Sequence, residues 1–191
     1  MLLFTTMVRI TLKQERMYHK EFITVEQEAE ILKLIERSPK IGIERNKVIR
    51  YGSRIPYSNS HSGLEVPAIF HTLNIPFHFD SVTINEYYEG QSIEYHYDSP
   101  GGGNKVGVLS LLGYADMNFK FQDDIQTYNL EPRSLFIMED EYRWKYEHSA
   151  TAKGLRYSIV FRNSSEFTPS TQPNFCNICK YYHTRGNHFS M

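Results

Sequence analysis

Read for the spacing of its apolar residues, the chain changes character near residue 82. Before that point, Thr24-Val-Glu-Gln27 is a capping-box pattern, in which the threonine and glutamine satisfy backbone amides at the start of a helix. Val25, Ala29, Leu32 and Ile35 then recur at helical spacing, and Pro39 with Gly42 closes the element. This predicts an amphipathic helix lying on a sheet. A first strand is predicted near residues 8–12, a turn over 59–63, and a short helix over 65–73 with Pro67 in its first turn.

From residue 82 onward the pattern is that of short strands: 82–88, 92–98, 106–112, 116–121, 125–130, 134–138, 142–147 and 155–162. Turn chemistry separates them, at Glu89-Gly90, Ser99-Pro-Gly-Gly-Gly103, Gly113, Gln122-Asp-Asp124, Glu131-Pro132 and Lys153-Gly154. So many short strands with flanking helices predict a mainly β fold, a sandwich or jelly roll. No internal repeat is visible.

Composition narrows this picture without redirecting it. At 191 residues the chain fits one domain with a substantial core. No apolar run approaches the about 18 residues of a membrane span, so no membrane partner is expected. Lys plus Arg (21) nearly balance Asp plus Glu (22), so any nucleic-acid surface has to be local. The 14 Tyr and 12 Phe favour strands and offer flat faces for stacking. Only two cysteines, Cys176 and Cys179, are present, too few for a secreted disulfide framework, and a cytoplasmic or nuclear location is expected. The opening Met1–Met7 lacks a secretory pattern, while an acid-free run to Gln14 with Arg9 and Lys13 leaves a mitochondrial presequence open.

The candidate chemistry centres on His96-Tyr97-Asp98. A histidine and a carboxylate two apart on a strand point to one face and can grip one metal ion from one side. His148 is the candidate third ligand. It is followed by Arg156 and Arg162, whose even spacing in Arg-Tyr-Ser-Ile-Val-Phe-Arg puts both on one strand face. Two imidazoles and a carboxylate with open positions are the ligand set of non-haem Fe(II) oxygenases, and an arginine can anchor a dicarboxylate such as 2-oxoglutarate.

Several separated motifs carry a resemblance: Thr83-Ile-Asn85-Glu-Tyr87-Tyr-Glu-Gly90-Gln, His96-Tyr-Asp98, Val108-Leu-Ser110-Leu-Leu-Gly113, Pro132-Arg133-Ser-Leu, Arg143-Trp-Lys-Tyr146-Glu-His148 and Arg156 to Arg162. In this order, over residues 45–163, they resemble the AlkB family of Fe(II)- and 2-oxoglutarate-dependent dioxygenases. The resemblance implies a double-stranded β-helix (jelly roll) over residues 1–163. It implies Fe(II), 2-oxoglutarate and O2 as cofactors, with His96, Asp98 and His148 on iron. Asn85, Tyr87 and Arg156 would hold the co-substrate, Arg162 would support the end nearer the iron, and Ser158 stands between the arginines where the family often has asparagine. Trp144 and Tyr146 are expected in the wall and core.

A basic, aromatic segment at 44–57 reads either as a solvated edge hairpin or as a nucleic-acid contact. In the AlkB family a comparable segment is a nucleotide-recognition lid, here 45–81, and Arg50, Tyr51 and Tyr57 become candidate substrate contacts beside a flipped or unpaired base. The family's DNA-repair members usually carry an acidic residue just after the metal aspartate. This chain has Ser99-Pro100 and three glycines, and Asn59 where a second lid aromatic would be expected. Arg50-Tyr-Gly, Thr-Ile-Asn-Glu-Tyr and Pro-Arg-Ser-Leu are more similar to the AlkB-type domain of tRNA wobble-uridine hydroxylases. The expected activity is oxidation of an alkylated or modified base in nucleic acid, RNA before DNA, by N-demethylation. Wobble-uridine hydroxylation, protein side-chain hydroxylation and an inactive RNA-binding relative are the alternatives. A monomer is expected. In the tail, 164–191, Cys176, Cys179, His183 and His188 offer four donors for a compact zinc knot, against two reduced thiols in a mobile tail.

Overall fold

The computed structural model describes residues 17–40, 48–53 and 64–166. The expected strand at 8–12, the turn at 59–63 and the cysteine-histidine tail lie outside the described residues. The elements are β1 (Tyr18–His19), α1 (Val25–Arg37), β2 (Val48–Gly52), α2 (Ala68–His71), β3 (Ser81–Tyr87), β4 (Ser92–His96), β5 (Val106–Phe121), β6 (Asp124–Leu130), β7 (Leu135–Met138), α3 (Asp140–Trp144) and β8 (Glu147–Arg162). The fold is mainly antiparallel β with few helices, of the jelly-roll type. One 8-stranded sheet runs β1-β7-β5-β8-β3-β2, with β4 added to β8 and β6 to β5.

Strand alternation divides β8 between two environments. Tyr157, Ile159 and Phe161 face outward into a core under the helices, shared with Ile31 and Ile35 of α1, Phe70 of α2, and Ile49, Tyr51, Val82 and Ile84. Val160 faces inward, into a second core with Val106, Val108, Met117, Phe119, Tyr128, Phe136 and Tyr142. Arg156, Ser158 and Arg162 share the parity of Val160, so polar groups replace apolar ones along the inner face.

Three strand expectations need correction. Residues 106–121 form one strand rather than two, and β8 runs through Lys153-Gly154 without a turn. The pairing register shifts between Leu112 and Tyr114 instead, where Leu112 takes φ 65° and Gly154 φ 94°. A bulge uses the same residues as a turn, which is why the two read alike. Across it the inward set on β5 changes from even numbers (Val106, Val108) to odd ones (Ala115, Met117, Phe119). Residues 142–147 begin as the helix α3, in which the Arg143 and Lys145 amides donate to the Glu139 and Glu141 carbonyls.

Helix α1 begins with the capping box expected, Thr24 and Gln27 bonding each other's backbone amides. Its buried face is Glu28, Ile31 and Ile35, with Leu32 and Leu34 partly buried, whereas Val25 and Ala29 are exposed. Glu28 explains the rotation. Its carboxylate accepts from the Leu112 amide at 2.9 Å and from Arg133 Nη1 at 3.2 Å, so it ties the helix to the bulge in β5 and to the β6–β7 turn. Pro67 caps α2 rather than entering its first turn. Glu28→Ala strands the Leu112 amide and is expected to cost about 2 kcal/mol, read as a lower urea midpoint at unchanged m-value.

Candidate active site

The two histidines meet because they are register partners. β4 pairs antiparallel with the first part of β8, and His96 lies directly opposite His148, with ring centroids 4.3 Å apart. Cross-strand partners project to the same face. Asp98 comes two residues after His96, beyond the end of β4, and its Oδ1 lies 3.9 Å from His96 Nε2. One donor atom from each of His96, Asp98 and His148 falls within 4.8 Å of the others. His96 Nδ1 sits 2.7 Å from the Glu94 carbonyl. A carbonyl only accepts, so Nδ1 carries the proton and Nε2 keeps its lone pair for a metal.

The same register logic assembles the groups beside them. Tyr87 pairs with Arg156, Asn85 with Ser158, and Ser81 with Arg162. On the other side of β8, Ser110 of β5 pairs with Ser158, giving a polar row Asn85–Ser158–Ser110 across three strands. Arg162 Nη2 reaches Asp98 Oδ1 at 3.1 Å. Arg156 is 2% exposed, donates from Nη2 to Ser110 Oγ at 2.9 Å, and its Nε has no acceptor among the described residues.

Electrostatics separate these groups by role. Burial alone would raise the Asp98 carboxyl, but Arg162, His148, Arg143 and His96 together outweigh it and hold the group well below the ordinary carboxylate range. Burial pushes His148 down to about 4, against the opposing pull of Asp98, so near neutral pH its imidazole is uncharged. Burial also pushes Arg156 down to about 10, with Tyr87 acting against it, which leaves the guanidinium charged. Tyr87 is raised by burial, partly offset by Arg156 and Arg162, so it remains a hydroxyl donor.

This arrangement passes the test that iron and 2-oxoglutarate set. Two imidazoles and one ionised carboxylate, clustered and partly open on the His96 side, make a donor set suited to Fe(II). A buried guanidinium with an unpaired Nε is incompletely compensated, and a ligand carboxylate would complete it.

Other sequence-derived candidates divide. Arg50 in β2 pairs with Thr83, which puts it on the face of Asn85 and Tyr87, and burial together with Arg162 lowers its pKa. Tyr51 is a correction. One residue along, it faces the outer core at 5% exposure, packs against Phe70 and hydrogen-bonds Ser38, so it is no substrate platform. Tyr57 and the four candidate zinc donors lie outside the described residues. Tyr146 packs at the edge of the inner core, and Trp144 stacks under the Arg143 guanidinium at 4.1 Å. Sequence reasoning assigned no role to two residues of the site region. Ser110, fully buried, had a signal as the lone polar side chain within Val108-Leu-Ser-Leu-Leu112. Arg143, 3% exposed, had none.

Comparison with known proteins agrees with this geometry. The chain is 27% identical over 180 residues to the tRNA (carboxymethyluridine(34)-5-O)-methyltransferase alkbh8 of Xenopus tropicalis. Its backbone superposes on the structure of OsALKBH1 with a TM-score of 0.63 at 14% identity, covering 76% of this chain and 96% of that one. This is an AlkB-like 2-oxoglutarate oxygenase fold. A 2OG-Fe(II) oxygenase-family oxidoreductase from Burkholderia pseudomallei gives a TM-score of 0.57 at 14% identity, over 78% of this chain and 86% of that one. The chain spans 29% of the length of its amphibian relative, an alignment that takes in 79% of the chain itself. No protein-family model matches it.

Removing one donor of the cluster tests it as a metal site. His148→Ala is expected to weaken Co(II) binding, followed by anaerobic absorbance titration, by more than the roughly 100-fold at the upper end for loss of an outer-sphere partner.

Proposed function

We propose that this AlkB-like chain is an Fe(II)- and 2-oxoglutarate-dependent dioxygenase that oxidises a modified base in nucleic acid, RNA before DNA. The observation that carries the proposal is the His96–Asp98–His148 cluster set beside the incompletely paired guanidinium of Arg156. In this reading His96, Asp98 and His148 hold the iron. Arg156, with Ser110 behind it, takes the distal carboxylate of the co-substrate. Asn85, Tyr87 and Ser158 line its path on the same face, and Arg162 keeps Asp98 ionised and aimed. Together iron and 2-oxoglutarate supply the oxidising power to place one oxygen atom of O2 in a C–H bond, the co-substrate leaving as succinate and CO2. The protein orients: its donors are fixed by strand register, and Phe119 and Tyr142 close the floor beside His148 against water.

Oxidation of an N-methyl group would release formaldehyde, whereas a hydroxyl on a uridine side chain would stay. The second outcome has its own support. The charged groups on the inner face are mainly guanidinium, from Arg50, Arg156 and Arg162, and the residue after Asp98 is a serine. Such a face disfavours a cationic alkylated base and tolerates a neutral or anionic one. The amphibian relative, a tRNA carboxymethyluridine methyltransferase, likewise acts on a tRNA uridine. A monomer in the cytoplasm or nucleus completes the proposal.

The test is an anaerobic Fe(II) and 2-oxoglutarate titration followed by air, with succinate assayed and modified oligonucleotides, DNA and peptides examined by mass spectrometry. Oxidised RNA supports the proposal. Oxidised peptide alone, or no succinate under any condition, overturns it. Arg156→Lys should raise the KM for 2-oxoglutarate at least about tenfold, because a point ammonium does not reproduce the fork. Arg50→Ala should raise the KM for the oligonucleotide by about tenfold across sequences, as expected of a phosphate contact worth roughly 1 to 2 kcal/mol.

A further inference from the structure

Arg143 is an expensive residue to bury. It is 3% exposed, on a short helix whose neighbour Tyr142 already supplies apolar packing against Phe119. A guanidinium at such a position loses hydration that a methionine of similar bulk would not. Its contacts show what the charge does. Nη1 donates to the Asp98 carbonyl at 3.1 Å, Nη2 to the Ser99 carbonyl at 2.7 Å, and Nε to the Gly103 carbonyl at 3.1 Å. The Trp144 ring covers the guanidinium plane.

All three acceptors belong to the loop that starts at the candidate metal ligand Asp98. That loop is closed further by Gly102 N on the Ser99 carbonyl and by Asn163 N on the Gly102 carbonyl. Its glycines are required by what lies over them. A Cβ at Gly102 would sit 2.8 Å from Cδ of Arg162, and one at Gly103, where φ is 84°, would sit 2.2 Å from the Asn163 carbonyl oxygen. The stem of Arg162 therefore crosses Gly102 on its way to Asp98.

We infer that Arg143 is a positioning residue for the metal site: by gathering three carbonyls of residues 98–103 onto one guanidinium, it sets the loop so that Asp98 faces the two histidines and Gly102 leaves Arg162 its path. The inference rests on reading the cluster as a metal site. No other side chain offers three donors in one plane with the spacing that three backbone carbonyls need, so lysine is a poor substitute.

The experiment compares wild type, Arg143→Lys and Gly102→Ala as purified full chains. Each is titrated with Co(II) under anaerobic conditions, the visible d–d spectrum is recorded, and apoprotein melting is followed separately. Both variants should lose about 10- to 100-fold in Co(II) affinity and show an altered d–d band while the apoprotein is still folded at the titration temperature. Gly102→Ala keeps Arg143 and tests the other end of the same loop, so it decides the matter if Arg143→Lys does not fold. Wild-type affinity and an unchanged spectrum in a folded variant, whatever its melting temperature, would show that Arg143 only stabilises the core. Failure of wild type to bind Co(II) would overturn the metal-site reading and this inference together.

Discussion

The pairing of β5 with β8 is the constraint on which the rest of the molecule depends. Both strands are 16 residues long, and they pair from Val106↔Arg162 to Lys120↔Glu147. Along β8 every other side chain must be compatible with the outer core and the intervening ones with the interior. Because β8 also pairs with β3 through its second half and with β4 through its first, it delivers Arg156, Ser158 and Arg162 from the one and His148 from the other to the same inner face. A slip of one residue would send the arginines into the apolar layer with Ile31 and Phe70 and turn Ile159 and Phe161 toward the candidate metal site. Stability of the outer core and geometry of the site are thus set by the same register.

Charge on the inner face follows from the same crowding. Arg143, Arg156 and Arg162 contribute positive charge, and Asp98 is the carboxylate among them. That asymmetry keeps Asp98 ionised despite its burial and helps keep His148 uncharged, so both are in the protonation state a metal needs. Of the arginines, Arg162 is answered by Asp98 and Arg143 by backbone carbonyls. Arg156 has Ser110, a neutral partner, and an unused Nε. The interior is therefore best suited to an anion at Arg156, where the proposed co-substrate carboxylate would sit.

Much of this was legible from period and spacing. The even spacing of Arg156, Ser158 and Arg162 and the His-x-Asp pair are local facts about strand faces, and the cap at Thr24 is a local fact about a helix start. The alternation of apolar and polar residues in Tyr142-Arg-Trp-Lys-Tyr146 matches a strand template, but its backbone amides bond back to Glu139 and Glu141 and make a helix there. Burial of Glu28 was not legible, because its partner is a backbone amide in a distant bulge. Arg143 was illegible for the same reason, since its acceptors are carbonyls that every residue possesses. Tyr51, by contrast, was decidable: period two separates it from Arg50, and the basic, aromatic composition of the segment obscured that.

The loop after Asp98 connects the fold to the question of substrate. An acidic residue at position 99 would stand one residue from Asp98, on a backbone whose carbonyls are already committed to Arg143. Ser99 Oγ is itself buried and has no partner among the described residues, so a longer carboxylate there would either bury a second negative charge or push the loop off its guanidinium. The glycines close the remaining space, because Arg162 and Asn163 occupy the volume that side chains at 102 and 103 would need. The loop thus offers no carboxylate to a cation, and β2 adds a further guanidinium to the inner face, Arg50 across from Thr83. Under the proposed function, a face so rich in guanidinium would suit a uridine-like base at least as well as an N-methylated cation.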